Sequence, residues 1–229
     1  MSKKSKTYKN MLSQFQRQER YNLEDALKLL KEMPDRKFDE TVEVAIKLGI
    51  DPRKSDQTVR GATPLPHGSG QESRVAVVAS GEAATAAKDA GADFVGFEDM
   101  IEQIKGGWLD FDALVATPEA MKSLRPLGKV LGPRGLMPNP KTGTLTDDTA
   151  TAVKEAKAGR VEYRTDRGGC VHAPVGKKSF SIEALRENAQ AIIDAVKNAR
   201  PEGVKGSYIV SATISSTMSP GIRLDTLAV

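Results

Sequence analysis

A chain of 229 residues with 39% hydrophobic, 28% charged and 5% aromatic content can bury a sizeable core in one or two domains. The net charge of +4 and pI near 9.1 are compatible with a nucleic-acid partner without establishing one. One cysteine, Cys170, two histidines, His67 and His172, and no stretch approaching about 18 apolar residues exclude a disulfide scaffold, a His-rich cage for structural zinc and a membrane span. Residues 1–20 carry Lys3, Lys4, Lys6, Lys9, Arg17 and Arg20 against Glu19 alone, which reads as a solvated basic arm or a weak helix. The apolar stretch and cleavage pattern of a secretory signal are missing from it, so a cytoplasmic protein is expected.

Asn22 offers an N-cap, and Leu23, Ala26, Leu27 and Leu30 fall on one helical face before Met33-Pro34 stops the helix. From Thr41 to Ile50 the pattern alternates, with Val42, Val44, Ile46 and Leu48 inward and Thr41, Glu43, Ala45 and Lys47 outward on a wet face. DPRKSDQTVRG then reads as a basic loop, and PLPHGSG breaks the chain. RVAVVAS, ADFVG and FDALVAT are short apolar strands alternating with the helical stretches GEAATAAKDAG, FEDMIEQIKGG and PEAMKSL. This order predicts a parallel sheet covered on both faces, a three-layer Rossmann-like unit. PLGKVLGPRGLMPNPKTGTLT follows as an irregular segment with Lys129, Arg134 and Lys141.

In the last third, RVEYRT and CVHAPV read as strands around Gly168-Gly169, followed by a helix over about 181–199 and a strand from GSYIVSATISSTM. The alternation in that strand sets Tyr208, Val210, Ala212 and Ile214 on one face and a row of hydroxyls, Ser211, Thr213, Ser215 and Thr217, on the other. Helices on one side of such a sheet make an open two-layer α/β domain whose bare face carries Thr41, Glu43, Lys47 and the hydroxyl row.

Charge is distributed unevenly. Residues 1–67 hold 14 Lys/Arg against 10 Asp/Glu, residues 68–159 hold 10 against 13, and residues 160–229 hold 10 against 7. An acidic middle between basic ends suggests one discontinuous domain (1–67 and 160–229) with a second (68–159) inserted, although chance differences of a few charges give the same pattern.

Enzymatic signatures are missing. Neither GxxxxGK[ST] nor GxGxxG occurs, which argues against a nucleotide-dependent enzyme. Cys170 and His172 read as strand neighbours rather than nucleophile and base, and Asp110 and Asp112 as a polar turn beside Trp108 and Phe111. For nucleic acid, the hydroxyl row and nearby Lys and Arg supply partners for 2′-OH groups and phosphates, while six Phe, four Tyr and one Trp are too few for a base-stacking platform. A solvated Ser/Thr-rich strand and a general DNA-binding protein remain the alternatives.

Specific strings narrow this. KFDETVEVAIKLGIDPRKSDQTVRG at 37–61, LPHG at 65–68, GADFVG at 91–96, IKGGWLDFD at 104–112, LGKVLGPRGLMPNPKTGT at 127–144, KAGRVEYRTD at 157–166 and SSTMSPG at 215–221 together resemble the ribosomal protein L1 family, from about residue 20 to about 224. Leu136 is similar to the bacterial form. The resemblance implies a non-enzymatic ribonucleoprotein component without cofactor or metal, its first domain built from both chain ends and its second inserted. It implies partners as well: large-subunit stalk-base rRNA, exit-site tRNA and, in bacteria, the protein's own messenger, whose translation it would repress.

Carried over onto this chain, the implied rRNA contact falls on Lys37, Phe38, Glu40 and Thr41 and on Ser211, Thr217 and Met218, with Arg164 and Asp166 in a neighbouring motif. Thr217 could exchange hydrogen bonds with a 2′-OH, Lys37 and Arg164 could neutralise phosphate, and Phe38 and Met218 could pack on ribose or base. Thr217→Val is therefore expected to weaken RNA binding with little change in stability. Ser219 stands where the family usually has glycine, so a closer backbone approach to RNA would be exchanged for a hydroxyl.

Overall fold

The computed structural model describes residues 5–226, with the side chains of all but Ser55 and Lys141; Lys3 and Lys4 of the basic N-terminal run lie outside these residues. The chain divides into two compact units, one of residues 1–70 and 161–229 and the other of 71–160. Both are mixed α/β.

In the first unit, α1 (Lys6–Ser13) is capped by the Ser5 hydroxyl, and α2 (Leu23–Glu32) by the Asn22 side chain, which accepts from the Asp25 amide. α2 buries Leu23, Ala26, Leu27 and Leu30. The described part of the N-terminal run is no solvated arm, because Met11 and Phe15 are buried in the same core as α2. A single apolar stripe outweighs the surrounding lysines.

Four antiparallel strands form the sheet: β1 (Thr41–Leu48), β7 (Cys170–Lys177), β8 (Ile209–Ser216) and β9 (Ile222–Leu224), in the order β7-β1-β8-β9. α2 and α8 (Ile182–Asn198) cover one face, where Val42, Val44, Ile46 and Leu48 meet Leu185, Ala189, Ile192, Ile193 and Val196. The last strand departs from simple alternation. Lys47 pairs with Ser211 but Leu48 with Ile209, so the register shifts at Val210, whose side chain is left 50% exposed instead of joining Ala212 and Ile214 in the core.

β2 (Arg60–Pro64) and β6 (Arg160–Arg164) make a separate two-stranded sheet, so the strands either side of Gly168-Gly169 belong to different sheets. The expected basic loop thus runs only to Val59. Asn188 is wholly buried in α8 and fully bonded: its Oδ1 accepts from the His67 amide at 3.0 Å, and its Nδ2 donates to the carbonyls of Gly68 and Val175 at 3.0 and 2.8 Å.

The second unit contains a parallel sheet of β3 (Val75–Val78), β4 (Phe94–Gly96) and β5 (Ala113–Ala116), ordered β4-β3-β5. All four residues of β3 are buried because both faces are covered. α3 (Gly81–Asp89) and α7 (Thr149–Lys157) pack on Val75, Val77 and Val115. On the opposite face, Ala76, Val78, Leu114 and Ala116 pack against α4 (Glu98–Lys105), α5 (Pro118–Leu124) and α6 (Gly128–Leu131).

Within the Gly/Pro-rich segment, Leu127 and Leu131 are buried, Thr142 and Thr144 hydrogen-bond each other at 3.0 Å, and Leu145 bridges to Ala116. It is therefore a folded cap on this unit, with Lys129, Val130 and Arg134 exposed. Asp112 accepts from the Arg74 amide at 3.0 Å, which fits its reading as a structural turn residue.

Candidate nucleic-acid interface

The bare face of the four-stranded sheet follows from the pairing register. Across it run Pro174–Glu43–Ser215, then His172–Ala45–Thr213–Arg223, then Cys170–Lys47–Ser211. At the far end Thr41 pairs with Lys177 on one side and meets Thr217 on the other. Thr41 and Lys47 are six residues apart on one strand, a separation of about 20 Å. The sequence-derived residues accordingly form two groups, not one.

The first group surrounds Thr41. Glu40 is 3% exposed, and its carboxylate is turned inward: Oε2 accepts from the Ser216 hydroxyl and, at 3.4 Å, from the Met218 amide, while Arg36 Nε stands 3.6 Å from Oε1. Glu40 thus braces the 216–219 turn from below and offers its carboxylate little access to solvent. Thr217 closes the same turn on β1, its Oγ1 accepting from the Thr41 amide at 3.1 Å and donating to the Thr41 carbonyl at 3.3 Å. The hydroxyl of Ser219 accepts from the Ser216 amide at 2.8 Å, and the Ser219 amide donates to the Ser216 carbonyl at 3.1 Å. Ser219 has no positive φ, so its hydroxyl locks the turn without requiring glycine's conformational freedom.

Around this rigid turn stand two large apolar side chains in water, Phe38 at 53% and Met218 at 50% exposure. Lys37 is exposed beside Phe38, and Lys177 Nζ donates to the Thr41 hydroxyl at 3.0 Å. A groove of about 550 Å³ adjoins them, where Lys31, Arg36, Lys37 and Lys178 stand with Asp35, Asp39 and Glu40. Lys178 is buried, and its ammonium donates to the Met33 carbonyl at 2.6 Å and pairs with Asp35 at 2.9 Å, which holds the Asp35 carboxyl below its ordinary range. An exposed lysine, Lys37, apolar prongs and a fixed hydroxyl-bearing turn are parts from which ribose and phosphate recognition is built.

The second group lies at the other end. Ser211 is exposed opposite Lys47. Asp166 Oδ1 accepts from the Gly168 and Cys170 amides at 2.8 and 2.7 Å, bonds that hold its carboxyl below the usual range, with smaller help from His172 and Lys47. Arg164 is exposed at the end of β6, on the two-stranded sheet and outside the rows of the bare face. Sequence reading passed over Arg223 and Lys177. Arg223 could have been found from the Ile-Arg-Leu alternation after Gly221, where a Cβ would come within 2.7 Å of Thr213 and keep β9 from its neighbour.

Residues 30–220 match the family model described as the Ribosomal protein L1p/L10e family. The chain belongs to the ribosomal protein L1 family. Its curated relatives include the "Large ribosomal subunit protein uL1" of Methylobacillus flagellatus, 56% identical over 225 residues, which covers 98% of each chain. Proteins of the same name from Teredinibacter turnerae and Saccharophagus degradans are 53% and 54% identical over 225 residues, 98% of this chain and 97% of theirs. An L1-family chain is a structural ribosomal protein and not an enzyme. Among the described residues no helix is long and apolar enough to cross a membrane.

Proposed function

We propose that this L1-family chain is a constituent of the large ribosomal subunit in the cytoplasm and binds stalk-base rRNA through the unit formed by its two ends. The observation that carries this is the turn at 216–219, clamped by Glu40 and Thr41, with Phe38, Met218 and Lys37 exposed around it. Half-exposed Phe and Met side chains on a rigid base cost apolar hydration that a ribose or base edge relieves, and lysines beside them take phosphate. Recognition of this kind reads RNA shape and 2′-OH groups rather than a stack of bases.

The inserted unit serves a second RNA contact in this reading. Lys129 and Arg134 stand exposed on its folded cap, and they supply the phosphate contacts through which exit-site tRNA is engaged during its release. Repression of the protein's own messenger uses the rRNA surface, since a leader transcript of the same shape competes for it.

The test is a pair of truncations. Phe38→Ala and Met218→Ala are each expected to weaken binding to a stalk-base rRNA fragment by about 1–2 kcal/mol with an unchanged melting temperature, from lost apolar packing. Val130→Ala, in the other unit, serves as the control. Unchanged rRNA affinity in both variants removes this turn from the interface. A leader transcript should displace the rRNA fragment from the wild-type protein and bind Met218→Ala more weakly in the same proportion.

A further inference from the structure

A mixed set of metal donors converges at the end of the bare face away from Thr41. Asp166, Cys170 and His172 each place one ligand atom within 4.8 Å of the other two. The cluster is built by the turn into β7. The Asp166 amide donates to the Cys170 carbonyl at 2.8 Å, the Gly169 amide returns to the Asp166 carbonyl at 3.0 Å, and Gly169 takes φ +72°. Both bonds from the Gly168 and Cys170 amides fall on Oδ1 of Asp166, which leaves Oδ2 on the side of His172, 3.8 Å from Nε2. Cys170 and His172 are two apart on β7 and share its bare face.

We propose that Asp166, Cys170 and His172 form a surface site for a divalent cation of the Zn2+ class. Thiolate, imidazole and carboxylate are together the donors zinc takes, whereas Mg2+ and Ca2+ want oxygen alone. Ligand bonds of about 2.0–2.3 Å to a tetrahedral ion set the donor atoms about 3.5 Å apart, so the cluster closes by side-chain rotations of about 1 Å. Three protein ligands leave the fourth position to water, and the exposure of Asp166 and His172 keeps that position open.

Thiolate and carboxylate together balance the charge of the ion. Lys47, the strand partner of Cys170, has its ammonium tied to the Gly168 carbonyl, and its positive charge limits the affinity for a cation. The site does not depend on the RNA reading, since its ligands and its test involve the protein alone.

Cobalt reports it directly. The full chain, kept reduced by a phosphine, is titrated with Co2+ and should take up one equivalent, giving a thiolate-to-cobalt charge-transfer band that Zn2+ abolishes. Cys170→Ser should lose the band, and His172→Gln and Asp166→Asn should each weaken Co2+ binding by at least about tenfold. Asp166→Asn retains the oxygen that accepts from Gly168 and Cys170, and His172→Gln alters only an exposed strand position, so the second variant decides if the first disturbs the turn. Absence of the band at any Co2+ concentration, or an unchanged affinity in His172→Gln, overturns the site.

Discussion

At the scale of single residues, the proposed interface rests on a buried carboxylate that RNA would not need to touch. Glu40 holds the Ser216 hydroxyl and the Met218 amide from below, so Glu40→Ala leaves buried polar groups unsatisfied. It should cost about 1–3 kcal/mol of stability in denaturant unfolding and weaken rRNA binding as well, while Glu40→Gln, which keeps an acceptor, recovers part of both. Thr217→Val is similarly double in effect. Its hydroxyl closes two bonds with Thr41, so the structure replaces the expectation of unchanged stability with a loss of about 0.5–1.5 kcal/mol alongside the weaker RNA binding. The sequence marked Glu40 and Thr217 as site residues because their motif does, but nothing in the spacing of residues 40 and 216 shows that one carboxylate faces inward. That relation exists only once the two chain ends are paired.

Among the elements, α8 is the most legible and also the most connected. Its apolar stripe was plain in the sequence; the side chains that finish its C-terminal end were not. Tyr163 and Tyr208 donate to the carbonyls of Ala195 and Val196 in the last turn of the helix, the Ala195 carbonyl also accepting from the Ala199 amide. Burial raises the pKa of both phenols, that of Tyr208 from 10.0 to about 12. The folded state therefore retains the Tyr208 proton after the unfolded chain has lost it, and stability should fall as pH rises from about 10 toward 12. Denaturation midpoints taken at about pH 9 and about pH 11 should show this fall in the wild type and a smaller one in Tyr208→Phe. Asn188→Ala removes three bonds from the middle of the same helix and should cost about 2–4 kcal/mol in denaturant unfolding.

Elements that escaped the sequence share a cause. α7 buries only Thr149, Ala152 and Val153, too small a stripe to stand out from TATAVKEAK. β9 has three residues, and β2 is partly buried along most of its length, so neither alternates over a readable distance. Val210 alternates correctly in sequence and is displaced by a bulge, which depends on the pairing partner.

For the whole molecule, the two units each enclose their own core, the second on both faces of its parallel sheet. Calorimetry should resolve two unfolding transitions, and Ile104→Ala, which opens a cavity in the core of residues 71–160, should lower one of them by about 2–5 kcal/mol and leave the other in place. A single transition shifted as a whole would show that the units unfold together.

The central claim is that the bare sheet face and its 216–219 turn recognise rRNA by shape, and one measurement addresses it most directly. Binding to a stalk-base rRNA fragment is followed as salt is raised, against a scrambled hairpin and duplex DNA of equal length. Phosphate neutralisation alone weakens all three together with the logarithm of salt concentration. The account predicts a preference for the rRNA fragment that persists at high salt, because the contacts of Phe38, Met218 and Thr217 do not depend on counterion release. Equal affinities that collapse in parallel would contradict it.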